Sequence, residues 1–238
     1  MVNHPASPDP APVVAAAIDL LVRQGYDGTS VEDLADAAGI SRSTFFRKFG
    51  SKEDIVFADH DRILARVHEF LAGTTADPLR AVVDAALLVF GHHVGNRKTS
   101  LARYELLHQV PALRDRELVM THRYQRAFRN HLVSALPESE GREVTAVAFA
   151  ASVVAVHNSV LRQWLRAVSA GGEERGAPDV SSRLARELGA LAATFAQSPV
   201  SAGGSPHIEP TRPAVVITVL DRSAGKDQIL QAVSDALA

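Results

Sequence analysis

Apolar side chains recur at helical spacing as soon as the N-terminal prolines end. Val14, Ala17, Ile18 and Leu21 form a first stripe, and Gly25 follows it. Two further short stripes reach residue 49 with almost no linker, so the pattern predicts three short helices around one core. The predicted core residues of the second and third helices are Leu34, Ala35, Ala38, Ile40, Phe45 and Phe49.

Hydroxyl side chains and glycines mark the predicted ends of these helices. Either Thr29 or Ser30 can cap the second helix, with an acidic residue completing a capping box. A glycine at position 39 suits a tight turn that needs positive φ. The remaining predicted caps and ends are Ser41, Gly50 and Ser51.

A longer stripe begins at Lys52 and predicts one continuous helix to about Leu71, roughly five turns. Its apolar members are Val56, Ile63, Val67 and Phe70. Similar stripes continue to residue 197, and no strand pattern occurs before residue 213. The predicted fold class is therefore all-α, with a small N-terminal three-helix domain followed by a helical bundle.

Changes in composition divide the chain into five predicted segments. Four prolines mark residues 1–12 as a flexible arm, and 13–57 and 58–197 are the two helical domains. Residues 198–213 read as a Pro/Gly/Ser linker. Residues 214–238 contain AVVITVL and DQILQAVSDAL, which predict a short βα extension of unknown role.

Composition excludes several classes of protein. The 238 residues include no cysteine, which excludes disulfides and thiolate metal sites. The N-terminus lacks the pattern of a secretory signal, and the apolar run 146–156 is too short to span a bilayer. We therefore expect a soluble, cytoplasmic protein with no membrane partner.

Four cations cluster between residues 37 and 53, although the formal net charge of the chain is −2. Two short helices joined by a glycine turn are typical of a helix-turn-helix, whose second helix enters the major groove of DNA. Arg42 and Ser43, at its start, are candidates for base edges, and Thr44 for a thymine methyl or a phosphate. Arg47 faces outward, and Lys52 suits a phosphate. The alternative is an ordinary solvated charged face.

The stretch TSVEDLADAAGISRSTFFRKFGSKEDI resembles the N-terminal signature of the TetR/AcrR family of transcriptional regulators. The resemblance covers about residues 13 to 57 and implies a dimer that binds double-stranded operator DNA. It also implies a C-terminal domain that binds a small effector. By position, it places Thr29, Phe46, Lys48 and Lys52 against phosphates. Phe46 stands where the family usually has tyrosine, so a hydroxyl donor is missing. Lys48 stands where the family often has histidine, so a permanent cation is expected to compensate.

The last two helices of the bundle are the predicted homodimer face, as the resemblance implies. Small residues there allow close approach of helices: Ala148, Ala151, Ala155, Ala190 and Ala193. Leu184, Leu188 and Leu191 are expected to supply apolar area to the interface. The alternative is that these helices pack only within one subunit.

An effector pocket is expected among the middle helices, since bundles commonly hold ligands there. The candidate lining residues are Phe90, His93, Arg103, Tyr104, His108, Phe128, His157, Asn158, Leu161 and Trp164. Their mostly apolar surroundings favour a hydrophobic effector, with Arg103 a candidate for holding an anionic group. Each of these residues also has a purely structural interpretation as part of the core.

Other functions receive less support from the sequence. His92, His93, His108 and His157 lack the spacing of a metal motif, so no metal and no cofactor is expected. An enzyme using His93, His108 or His157 as a general base has no accompanying nucleophile or nucleotide loop. The arginines of residues 113–130 form either a solvated face or a second DNA surface. Activation instead of repression, and binding without an effector, stay open.

Overall fold

The computed structural model describes residues 11–171 and 177–197, and this part of the chain consists of helices without a strand. The predicted linker 198–213 and extension 214–238 lie outside the described residues, as does the arm up to residue 10. The helices are α1 (Ala11–Gln24), α2 (Val31–Ala37), α3 (Arg42–Phe49), α4 (Lys52–Val56), α5 (Ala58–Gly73), α6 (Pro78–Gly95), α7 (Arg97–Gln109), α8 (Pro111–Ala135), α9 (Arg142–Ser169) and α10 (Ala177–Ala196).

The N-terminal helices begin where the serine signals predict. The Ser30 hydroxyl accepts a hydrogen bond from the Asp33 N–H, and the Asp33 carboxylate accepts from the Ser30 N–H at 2.8 Å, which completes a capping box. The Ser41 and Ser51 hydroxyls accept from the N–H groups of Thr44 and Asp54 and so cap α3 and α4. Gly39 has a φ of +66°, a conformation that glycine adopts without a Cβ penalty, so the turn between α2 and α3 is tight.

The three-helix core also extends onto the bundle. Phe45 is fully buried, and its ring lies 5.2 Å from the ring of Phe49. The same apolar cluster includes Leu106, Leu113 and Met120 of α7 and α8. The N-terminal domain therefore packs directly against the bundle instead of being joined to it by one helix alone.

The predicted single helix from Lys52 to Leu71 is wrong, because the chain breaks at Phe57. The Val56 carbonyl accepts a hydrogen bond from Nε of Arg103 at 2.9 Å, and the His60 N–H bonds to the Phe57 carbonyl, one residue later than an α-helix requires. A side chain from α7 thus captures a carbonyl of the helix and divides it into α4 and α5.

The bundle is built from α5, α6, α8, α9 and α10 around one large apolar core. By length and composition α9 could span a membrane, but core helices of soluble proteins pass the same test, and its buried stripe packs inside this bundle. Leu184 and Leu188 of α10 are 0% exposed within the subunit. Their expected place on the dimer surface is therefore wrong, since α10 needs them to pack against α6 and α9.

Candidate DNA-binding surface and ligand cavity

One face of α3 is held inward by aromatic rings, and the opposite face is exposed. Phe45 and Phe49 are four residues apart and lie on the same buried side. Arg42, Ser43 and Arg47 lie on the exposed side. An eight-residue helix with an apolar anchor and a cationic, hydroxylated outer face has the form of a recognition helix.

The flanking predicted contacts on α3 are also accessible. Phe46 is 43% exposed, and the Arg42 guanidinium lies 5.5 Å from the centre of its ring. Lys48 is exposed, while Thr44 is partly buried beside the Ser41 cap, with 3.0 Å between their hydroxyl oxygens. Arg42 also pairs with Glu32 at 2.8 Å, but an exposed pair of this kind contributes little and can exchange for a phosphate or a base.

Thr29 and Lys52 are placed differently from the rest of the predicted DNA-binding set. Thr29 is only 2% exposed, and its hydroxyl donates to the Gly25 carbonyl at 2.8 Å. The Lys52 ammonium donates to the carbonyls of Tyr26 at 2.6 Å and Thr29 at 3.0 Å, and lies 3.9 Å from the centre of the Tyr26 ring. Both side chains therefore brace the loop between α1 and α2 in this structure.

A cavity of about 90 Å³ lies among α5 to α9. Seven of the ten predicted pocket residues line it: His93, Arg103, Tyr104, Phe128, His157, Asn158 and Leu161. Phe90 is instead fully buried in the core behind His157, with 5.6 Å between the ring centres. Trp164 is half-buried outside the lining, and His108 lies on the surface beside Tyr104, with 4.3 Å between ring centres.

Several residues that line the cavity were not predicted from the sequence. Phe57, His60 and Tyr124 all border the cavity. One signal in the sequence was the pair Asp59–His60, which lies one helical turn from apolar residues on either side. Polar residues on a buried helical face require polar partners, so this pair indicated a polar site. Those partners are His92 of α6, Arg103 of α7 and Tyr124 of α8. Each lies more than 30 positions further along the chain.

A buried ion pair forms the polar end of the cavity. Nη2 of Arg103 donates to both carboxylate oxygens of Asp59 at 2.8 Å, and both residues are buried. Nη1 of the same guanidinium lies 3.3 Å from Nε2 of His60, whose Nδ1 lies 3.1 Å from the Tyr124 hydroxyl. The Arg103 side chain thus touches the cavity, α5 and, through the Val56 carbonyl, the end of α4.

Burial sets the protonation states of the cavity. It lowers the pKa of His60 to about 3, and it also lowers the pKa of His93 and of His157. Burial alone would raise the pKa of Asp59, but the Arg103 guanidinium, the hydrogen bond from His92 and the nearby His60 together outweigh it and hold that pKa well below its usual range. At neutral pH the buried polar end of the cavity therefore contains one anion, one matched cation and three neutral imidazoles. A second, partly exposed ion pair, Arg162 with Glu117 at 3.1 Å, also borders the cavity.

Two further arginines of α8 form ion pairs with helices near the N-terminal domain. Arg116 and Arg123 of α8 pair with Asp54 of α4 and Asp61 of α5, each at 2.6 Å. The arginines of α8 are thus not merely a solvated face. Arg116 joins the bundle to α4, the helix that follows α3, whereas Arg123 joins α8 to α5 within the bundle.

Among residues 11–171 and 177–197, no group of three or more His, Cys, Asp or Glu side chains is arranged to hold a metal ion. The histidines stack instead as rings along the cavity. His60 and His93 have ring centres 5.4 Å apart, and His93 and His157 have theirs 6.1 Å apart.

Residues 13–58 match the family described as "Bacterial regulatory proteins, tetR family". The chain is 35% identical over 83 residues to the HTH-type transcriptional regulator TcmR of Streptomyces glaucescens, a match that covers 33% of this chain and 36% of TcmR. It is 31% identical over 109 residues to the HTH-type transcriptional regulator EthR of Mycolicibacterium smegmatis, covering 44% and 50%. These matches span half or less of each curated relative.

The fold is similar to a solved structure over most of both chains. The transcriptional regulator FadR from Bacillus subtilis, in complex with stearoyl-CoA, superposes with a TM-score of 0.50. The superposition covers 82% of this chain and 99% of FadR at 14% identity, so it concerns the fold alone. The sequence matches and the exposed face of α3 both indicate that the N-terminal domain is a helix-turn-helix domain.

Proposed function

Since the chain belongs to the TetR family of transcriptional regulators, with a DNA-binding helix-turn-helix in its N-terminal domain, we propose that it is a cytoplasmic homodimeric repressor. It binds a palindromic operator and is released by a small effector. The single observation that carries this proposal is the outer face of α3. Arg42, Ser43 and Arg47 lie exposed on this face, and buried phenylalanines anchor the opposite face. The relatives reported above are named as transcriptional regulators, so we propose no catalytic activity.

Two copies of α3 are needed for specificity, because one helix-turn-helix reads few base pairs. We assign the contact to the outer faces of α9 and α10. Val144 of α9 is 64% exposed, and Val147 is 48% exposed. The small residues Ala155, Ala190 and Ala193 are also exposed. Apolar and small side chains on adjacent helices suit a four-helix interface between subunits.

The effector acts through the cavity and the break at Phe57. Arg103 lines the cavity and holds the carbonyl of Val56, so a ligand that displaces Arg103 alters the end of α4. The angle between bundle and N-terminal domain then changes, and with it the spacing of the two α3 helices. The free energy available for release is the difference in ligand affinity between the two shapes.

The proposal is tested by titrating DNA from the promoter region of the protein's own gene with the full chain at several salt concentrations. Three exposed cations per subunit, Arg42, Arg47 and Lys48, predict a slope of log affinity against log salt of roughly −2.7 per subunit. Release of Lys52 from its two carbonyls to a phosphate would make the slope roughly −3.6. Sedimentation of the complex should give two chains for each operator.

Two matched variants make this test specific. Lys48→Met should reduce the magnitude of the slope by roughly 0.9 per subunit, whereas Lys52→Met should leave it unchanged. Equal slopes for the wild type and Lys48→Met would remove Lys48 from the interface. A chain that binds no DNA at low salt, or that stays monomeric, would contradict the proposed function.

A further inference from the structure

One buried nitrogen in the cavity lacks a partner. His157 is 6% exposed and lines the cavity, and its Nε2 has no hydrogen-bond partner among the described residues. Buried polar atoms in native proteins are nearly always paired, so such an exception needs an explanation. A site that receives a ligand provides one, because the partner then arrives with the ligand.

The hydrogen-bond pattern determines what kind of partner His157 needs. Its Nδ1 lies 3.1 Å from Oδ1 of Asn158, and an amide oxygen can only accept. Nδ1 therefore carries the hydrogen. Because burial keeps the imidazole neutral, Nε2 is left with a lone pair. It requires a donor, an O–H or an N–H.

A second group in the cavity has the opposite need. The Arg103 guanidinium can only donate, so Nε2 of His60 accepts from it, and Nδ1 of His60 donates to the Tyr124 oxygen. The hydrogen of the Tyr124 hydroxyl is then available to an acceptor. The cavity thus offers an unpaired buried acceptor, His157 Nε2, and an available donor, Tyr124 O–H, to a ligand that enters it.

Charge restricts the ligand further. The Arg103 cation is already matched by the Asp59 carboxylate at 2.8 Å, so it is not available to neutralise an anionic ligand. The three neutral imidazoles offer no further charge. A buried carboxylate or ammonium without a counter-charge is strongly disfavoured. The Arg162 cation at the edge of the cavity is likewise matched, by the Glu117 carboxylate at 3.1 Å. The remaining lining is largely apolar: Val89, Met120, Phe128, Val154, Leu161 and Leu165.

We propose that the cavity binds a neutral alcohol or phenol whose hydroxyl donates to Nε2 of His157 and whose remainder is apolar. The inference rests on the proposed function, since it names the chemical class of the effector. At about 90 Å³ the cavity is smaller than the roughly 150 Å³ that accommodates benzene in an engineered core, so the ligand is about one ring in size and side chains must yield. Met120, a flexible and unbranched apolar side chain of the lining, is placed to do so.

The test compares three probes of similar shape by titration calorimetry with the full chain. The probes are 4-ethylphenol, 4-ethyltoluene, which has a methyl group in place of the hydroxyl, and the 4-ethylbenzoate anion. The phenol should bind about tenfold more tightly than the toluene, the contribution expected of one buried hydrogen bond to a group that is otherwise unpaired. The benzoate should bind more weakly than the phenol. Equal affinity of phenol and toluene, or absence of binding by the phenol, would overturn the proposal.

A matched pair of histidine variants assigns the preference to one atom. His157→Phe keeps a ring in the cavity but removes the acceptor, so phenol and toluene should then bind within about twofold of each other. His108→Phe, at an exposed histidine outside the cavity, should keep the tenfold preference. A preference that survives in His157→Phe would contradict the assignment, and the comparison of probes in the wild type stands even if that variant does not fold.

Operator binding measured on the same wild-type preparation separates this inference from the proposed function. DNA binding without a preference for the phenol would overturn only the class of ligand. A preference for the phenol without DNA binding would overturn the repressor and keep the cavity assignment.

Discussion

Arg103→Leu is expected to lower the free energy of unfolding by about 3–5 kcal/mol, because it leaves the Asp59 carboxylate buried and unpaired. The same change removes the donor to the Val56 carbonyl at the break between α4 and α5. Chemical denaturation of the wild type and the variant at pH 7 measures the difference.

The matched control is the double variant Asp59→Leu with Arg103→Met. Replacing both charges by apolar side chains of similar size is often neutral or stabilising, so the double variant should recover most of the lost stability. If single and double variants were equally unstable, the unpaired carboxylate would not be the cause.

The pH dependence of Arg103→Leu gives an independent check. In the wild type the folded-state pKa of Asp59 lies below its unfolded value, so its contribution is present at neutral pH and is lost only in strong acid. Without the guanidinium, burial raises that pKa above the unfolded value. The folded variant then binds a proton more readily than the unfolded chain, and its deficit relative to the wild type should shrink as the pH falls from 7 to 5.

Arg42→Ala should weaken operator binding at least thirtyfold, which corresponds to a loss of about 2 kcal/mol or more. One good contact to a base edge is worth about 1–3 kcal/mol, and the proposed dimer would lose two of them. Arg42 is the first residue of α3, where recognition helices contact bases. Fluorescence anisotropy with labelled promoter DNA measures the change.

Arg126→Ala is the control for Arg42→Ala, because it removes an exposed arginine from α8 and lowers the charge equally. It should leave DNA affinity within about twofold. The fold should tolerate Arg42→Ala within about 0.5 kcal/mol, since the exposed pair with Glu32 contributes little. Similar losses of affinity in both variants would show that net charge, and not the start of α3, determines binding.

The N-terminal domain could be predicted closely because its signals are local. Ser30, Ser41 and Ser51 each act on a residue three positions away, and Gly39 and Gly50 determine turns through their own dihedral angles. Nothing in those contacts depends on a distant part of the chain. The face of α3 followed from its spacing of phenylalanines alone.

The bundle was less predictable, since its decisive contacts join distant residues. Arg103 and Asp59 are 44 positions apart, and neither the break at Phe57 nor the matched charge of Arg103 can be inferred without that contact. The leucines of α10 illustrate the same limit. Helical spacing identifies an apolar face, but it does not distinguish packing within a subunit from packing between two.

The three buried imidazoles make the folded protein less stable in acid. Their folded-state pKa values lie below that of a free histidine, so below about pH 6.5 the unfolded chain binds more protons than the folded one. Each histidine then withdraws roughly 1.4 kcal/mol of stability per pH unit, until its own folded pKa is reached. Acid stress would therefore deplete the regulator through proteolysis of unfolded chains, even with no effector present. Melting curves should show a lower melting temperature at pH 5.5 than at pH 7.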